Sequence, residues 1–132
     1  MAEEALVKDA LSEQQIAGGE TVIRALDEAK FRVDAGFWLF LTDSNHWRLM
    51  LASPEVRLEG PKKAYRRVQA ALSKVETPGV SLQNITVVDN GDSLVTLLRS
   101  AIRTGPGISG IRFSRNTING VFIEDAYIYR LT

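Results

Sequence analysis

Phe37-Trp38-Leu39-Phe40-Leu41-Thr42-Asp43-Ser44-Asn45-His46-Trp47-Arg48-Leu49-Met50-Leu51-Ala52 is the stretch that decides how this chain folds. Two aromatic and aliphatic runs flank a cluster of turn-forming residues, which reads as a β-hairpin within residues 31–53. With residues 43–46 as the loop, Trp38, Phe40 and Thr42 share a face with Trp47, Leu49 and Leu51. Phe37, Leu39 and Leu41 then share the opposite face with Met50 and Ala52. Both faces are apolar, so these strands need cover twice. Helices would supply one side and something else, such as a second subunit, the other.

On the N-terminal side, Leu6, Val7, Ala10, Leu11 and Ala17 recur at helical spacing over residues 3–17. The pair Gly18-Gly19 is expected to interrupt or bend this helix before the pattern resumes at Val22, Ile23, Leu26 and Ala29. On the C-terminal side, Gly60-Pro61 opens a helix over residues 61–75, because proline suits the first helical position. Its Ala64, Tyr65, Val68, Ala71, Leu72 and Val75 occupy one arc, and Lys62, Lys63, Arg66, Arg67 and Lys74 another. A loop over 76–83 leads to a short strand, Ile85 to Val88, and then Asp89-Asn90-Gly91-Asp92 supplies a turn and an N-cap. Leu94, Leu97, Leu98, Ala101 and Ile102 follow the helical template over 93–103, with Arg99 and Arg103 outside near the C-terminus.

Residues 111–131 read as a second hairpin around Asn119-Gly120, the pair favoured in a type I′ turn. Pairing Ile118 with Val121 sets Phe113 opposite Ala126, Ile111 opposite Ile128 and Arg115 opposite Glu124. The other face then carries Arg112, Ser114, Asn116, Asp125, Tyr127 and Tyr129, with Ile118, Val121 and Ile123 near the tip. The expected architecture is a single α+β domain over residues 1–132. Its sheet is largely antiparallel, of about five strands (two hairpins plus one short strand), with helices packed mainly on one face.

With 45% hydrophobic and 24% charged residues over 132 positions, the composition is that of an ordinary globular domain able to hold its own core. No cysteine is present, which excludes disulfides, thiol nucleophiles and cysteine-bound metals and favours a cytoplasmic setting. The acidic, amphipathic start resembles no targeting signal, and the longest apolar run, Phe37 to Leu41, is too short to span a membrane. Charge is uneven: residues 1–60 hold 6 basic and 11 acidic groups, a net −5, and residues 61–132 hold 10 and 5, a net +5. Such polarity suits contact between the acidic half of one molecule and the basic half of another, unless the halves interleave.

Chemical motifs are sparse. Gly105-Pro106-Gly107-Ile108-Ser109-Gly110 matches G-x-G-x-x-G, but it follows a helix and precedes a strand, the reverse of a dinucleotide fingerprint. It reads first as a helix C-cap and connection, and second as a loop whose Gly105, Gly107, Ser109 and Gly110 could meet an anion with Arg103 and Arg112. The basic face of the 61–75 helix could join it on nucleic-acid phosphates, although no nucleic-acid-binding signature accompanies it. His46 lies near Asp43 without a second histidine or a nucleophile context, so it reads as a turn residue. Asp34, Asp43, Glu124 and Asp125 would have to converge to hold a hard cation for metal-assisted hydrolysis. Among the aromatics, Trp38 and Tyr65 suit core positions rather than base stacking.

The leading expectation is therefore a non-catalytic interaction or accessory module, self-associating or part of a larger assembly, with no cofactor. Trp47, Ile118, Val121, Ile123, Tyr127 and Tyr129 are its candidate protein interface. The alternative is anion or nucleic-acid binding through residues 61–75 and 105–110; an enzyme ranks third.

Overall fold

The computed structural model describes residues 8–132. Its elements are α1 (Glu13–Glu28), β1 (Ala35–Leu41), β2 (His46–Ala52), α2 (Glu55–Glu59), α3 (Pro61–Leu72), β3 (Ile85–Val88), α4 (Ser93–Ala101), β4 (Ile111–Ile118) and β5 (Val121–Leu131). A short 3-10 turn, Leu82–Asn84, leads into β3. The five strands form one sheet in the order β3-β2-β1-β5-β4.

The second hairpin adopts the register expected from its turn, whereas the first keeps the expected faces on a loop of residues 42–45 rather than 43–46: His46 leaves the turn to open β2 opposite Leu41. Phe37 opposes Met50, Trp38 opposes Leu49 and Phe40 opposes Trp47. In the second hairpin Ile118 opposes Val121, Phe113 opposes Ala126 and Ile111 opposes Ile128. Asn119 and Gly120 have φ of 48° and 83°, the positive values a type I′ turn requires. The sheet itself differs from the largely antiparallel one expected: it is mixed, because β3 runs parallel to β2. The reason lies in the connection. α2 and α3 form a crossover between β2 and β3, and a helical crossover returns the chain in its original direction, whereas a tight turn reverses it.

Two core clusters lie on the two faces of this sheet. Trp38, Phe40, Leu49 and Leu51 pack with Val22, Ile23 and Leu26 of α1 and Ala64 and Val68 of α3. Phe37, Leu39, Met50, Ala126 and Ile128 pack instead with Val95 and Leu98 of α4. The two-sided apolar hairpin is thus covered on both faces by its own chain, and Phe37 and Trp38 are fully buried. The expected need for a second subunit over this ribbon does not arise, because α4 occupies that face.

The first helix also departs from expectation. Of the residues 3–17 expected to be helical, 3–7 lie outside the described residues and the next five precede the helix. Ser12 caps α1 in a reciprocal box: its Oγ accepts from Gln15 N–H at 3.0 Å, and Gln15 Oε1 accepts from Ser12 N–H at 2.9 Å. The helix then runs unbroken through Gly18 and Gly19, both buried, as one helix rather than two. A Cβ on Gly18 would lie 2.7 Å from Pro78 O, and one on Gly19 would lie 2.8 Å from Trp38 Nε1 and 2.9 Å from Tyr129 Cε2. Close packing, against the sheet at Gly19 and against the loop before β3 at Gly18, thus offsets a propensity loss of about 1 kcal/mol per glycine. Around that contact the Tyr129 hydroxyl donates to Ile16 O at 2.5 Å and accepts from Trp38 Nε1 at 3.0 Å. Burial pushes the Tyr129 phenol up, which keeps it protonated as a donor.

Two helix ends shift. α3 stops at Leu72, short of residue 75, and α4 at Ala101, where Ile102 turns extended at φ −136°. Thr104 then joins the end of β5, its N–H donating to Leu131 O and its Oγ1 accepting from Leu131 N–H.

Replacing Gly19 by alanine is expected to destabilise the chain by about 1–3 kcal/mol, through overpacking against Trp38 and Tyr129. Urea unfolding of Gly19→Ala beside a Ser12→Ala control, whose lost cap costs about 1 kcal/mol, checks this.

Candidate functional site

Asp125 organises the polar face of the second hairpin. Its side chain is 3% exposed and receives Arg112 Nε and Nη2, Ser114 Oγ and Lys8 Nζ, each at 2.7 Å. Arg112 also lies over the Trp47 ring and Lys8 over the Phe40 ring, so both cations bridge β5 to the first hairpin. Burial pushes the Asp125 carboxyl up, but the hydrogen bonds from Arg112, Lys8 and Ser114 outweigh it, and the group sits well below the usual carboxylate range. The hydrogen bond to Asp125 in turn raises the Arg112 guanidinium.

Ion pairing also engages two of the other three carboxylates considered for a metal. Glu124 lies 3.6 Å from Lys8 and 3.7 Å from Arg115, the latter being the cross-strand pair expected from the register. Asp34 pairs with Arg32 and accepts from Asn90. Asp43 is exposed in the first hairpin loop. Among the described residues no group of three or more His, Asp or Glu could hold a metal ion, and no hydrogen bond joins His46 to Asp43. Nor, among them, is any helix long and apolar enough to cross a membrane.

The candidate interface residues separate by burial. Trp47 and Tyr129 are core residues, Trp47 donating to Asp9 O at 2.7 Å and packing edge-on against Phe40. Ile118 and Ile123 are buried in the cluster that α4 covers. Tyr127 is half-buried, edge-on to Tyr129. Val121 alone of the six is exposed, at 46%, and its neighbour Phe122 is more so, at 56%. Phe122 was not singled out from the sequence, although its position opposite Thr117, one pair short of the turn, was readable from the register. Beside these two side chains lies a groove of about 350 Å³ whose walls include Leu39, Leu41, Leu94 and Ile123. Asp43 and Glu124 border it.

The candidate anion-binding residues do not form one site. On α3, Lys62, Lys63 and Arg66 are exposed and form no ion pair with a described residue. Arg67 is committed to Glu55, Glu59 and the face of Phe31, and Lys74 lies beyond the helix end. The glycine-rich loop is tied to β5 instead. Ser109 N–H donates to Tyr129 O at 2.7 Å, and Gly107 O accepts from Arg130 Nε at 3.1 Å. Arg130, 5% exposed, is held by Asp27 and Val33 O. Gly110 abuts the Tyr127 hydroxyl, whereas Gly105 and Gly107 face open space. Arg103 is exposed, Arg112 belongs to the Asp125 cluster, and no described hydrogen bond or ion pair links residues 105–110 to α3.

Comparison with protein-family models, with curated proteins and with solved structures finds no match.

A carboxylate whose folded pKa lies below its unfolded value of about 4 stabilises the fold above that pH, and the contribution fades as pH falls through the folded value. Asp125→Asn is therefore expected to lose about 2–4 kcal/mol at neutral pH and to show a shallower decline below pH ~4 than the parent chain. Urea unfolding measured across that pH range checks both effects.

Proposed function

We propose that this chain is a non-catalytic interaction module that self-associates through the tip of its second hairpin. The observation that carries the reading is the juxtaposition of Val121 and Phe122, both exposed, with an apolar groove containing Leu39, Leu41 and Leu94 on the same surface. A projecting ring next to a recess suits a two-fold contact, in which each copy presents the same patch and receives the other's. The nearby carboxylates Asp125 and Glu124 are already engaged by cations, which suits a structural rather than a reactive role.

Magnitudes limit the strength of such a contact. Burying a phenylalanine contributes roughly 1.5–3 kcal/mol, and two copies of Val121 and Phe122 together offset only part of the roughly 4–15 kcal/mol that association costs. A micromolar or weaker dimer follows. Sedimentation equilibrium is expected to show concentration-dependent dimerisation of the parent chain, and Phe122→Glu is expected to leave a folded monomer. A parent chain that stays monomeric up to roughly 1 mM, or a Phe122→Glu variant that dimerises equally well, would reject the proposal.

A second reading rests on Lys62, Lys63 and Arg66, which lack acidic partners on the exposed face of α3. They would attract a polyanion by counterion release, with affinity falling steeply as salt rises. Single-stranded and duplex nucleic acid titrated at low salt should then bind the parent chain and not a Lys63→Glu/Arg66→Glu variant; equal binding by both would exclude this face.

A further inference from the structure

A second recess, separate from the hairpin-tip groove, opens where the first hairpin loop meets the start of α1. It encloses about 370 Å³, and Asp9, Gln15, Ser44, His46, Arg48 and Asn84 supply its polar lining. Leu41 and Trp47 add apolar wall. Asp9 and Arg48, residues of opposite charge, therefore both line one cavity and form no ion pair with each other.

Both are held in place by bonds that leave their charges available. Arg48 is half-buried on β2; its Nε donates to Thr86 Oγ1 at 2.8 Å and its Nη2 to Ile85 O at 3.2 Å. Neither acceptor is a carboxylate, so the positive charge has no acidic partner among the described residues. Asp9 is anchored through its backbone, with its O accepting from Trp47 Nε1 at 2.7 Å and its N–H donating to Asn45 Oδ1 at 3.2 Å. Its carboxylate forms no ion pair with a described residue. Asn84 uses its Oδ1 to accept from Ser81 N–H and Oγ, which leaves its amide N–H groups as donors.

We propose that this recess binds a small zwitterion, a free amino acid, with its carboxylate toward Arg48 and its ammonium toward Asp9. A guanidinium fixed by two neutral acceptors is well suited to a carboxylate, and charge-assisted hydrogen bonds are the strong ones. The volume admits a ligand of amino-acid size, with Leu41 and Trp47 available to an apolar side chain. A simple carboxylate or a simple amine would satisfy one charge and leave the other unanswered.

The test titrates the full chain with each of the twenty standard amino acids, reading Trp47 fluorescence and the amide resonances of Ser44, His46, Arg48 and Asn84. At least one amino acid is expected to saturate these signals at or below about 10 mM, and its deaminated acid and decarboxylated amine to bind about tenfold more weakly or less. Asp9→Asn should weaken the amino acid about tenfold while leaving the deaminated acid unchanged, and Arg48→Gln should weaken both. Because Arg48 also holds Thr86, thermal unfolding of Arg48→Gln is run alongside. Asp9→Asn preserves the backbone anchors and decides the matter if that variant fails to fold. Absence of saturation by all twenty, or unchanged amino-acid affinity in Asp9→Asn, overturns the proposal.

Discussion

The central strand must be kept dry on both faces, and the rest of the architecture follows from that requirement. β1 lies between β2 and β5, and six of its seven residues are buried. Trp38 and Phe40 point to the layer of α1 and α3, and Phe37 and Leu39 to the layer of α4. Each large side chain withdrawn from water contributes roughly 1.5–3 kcal/mol, so leaving either face open would forfeit several such contributions. The parallel crossover through α2 and α3 and the later return of α4 to the other face supply the two covers.

Cover at this distance demands a close helix, and two glycines provide it. α1 brings its backbone against Trp38 and Tyr129 at Gly19 and against Pro78 and Val80 at Gly18. The Tyr129 hydroxyl and Trp38 Nε1 then reach the backbone oxygens of Ile16 and Gln15, so the polar atoms of two buried aromatics are satisfied by the helix that covers them. A side chain at Gly19 would push the helix from the sheet and break this hydrogen-bonding arrangement along with the packing.

With the first hairpin enclosed, the features that could meet another molecule lie at the ends of the sheet. The second hairpin leaves Val121 and Phe122 exposed at the turn, while Ile118 and Ile123 behind them are covered by α4. The loop of the first hairpin, together with the entry to α1, leaves a polar recess between Asp9 and Arg48. Asp125 ties these regions together structurally, since Arg112 and Lys8 reach from it to the rings of Trp47 and Phe40. Its engagement by four donor atoms from three residues makes it a strut rather than a reactive group.

Local chemistry alone determined the two hairpins and the faces of their strands, the Asn119-Gly120 turn with its register, the Arg115–Glu124 pair and the helical face of α3. Those features depend on side-chain periodicity and on the φ demands of neighbouring residues, which are written along the chain. Only tertiary structure decided that Gly18-Gly19 lies inside a helix, that β3 is parallel, and that Trp47 and Tyr129 are core. Nor could spacing show that Arg67 and Arg112 are spent on neighbouring acids while Arg48 and Asp9 share a cavity unpaired. Glycine's intrinsic cost is local, but the packing that offsets it comes from residues up to 110 positions away, and charges reveal their partners only once the sheet has brought distant segments together.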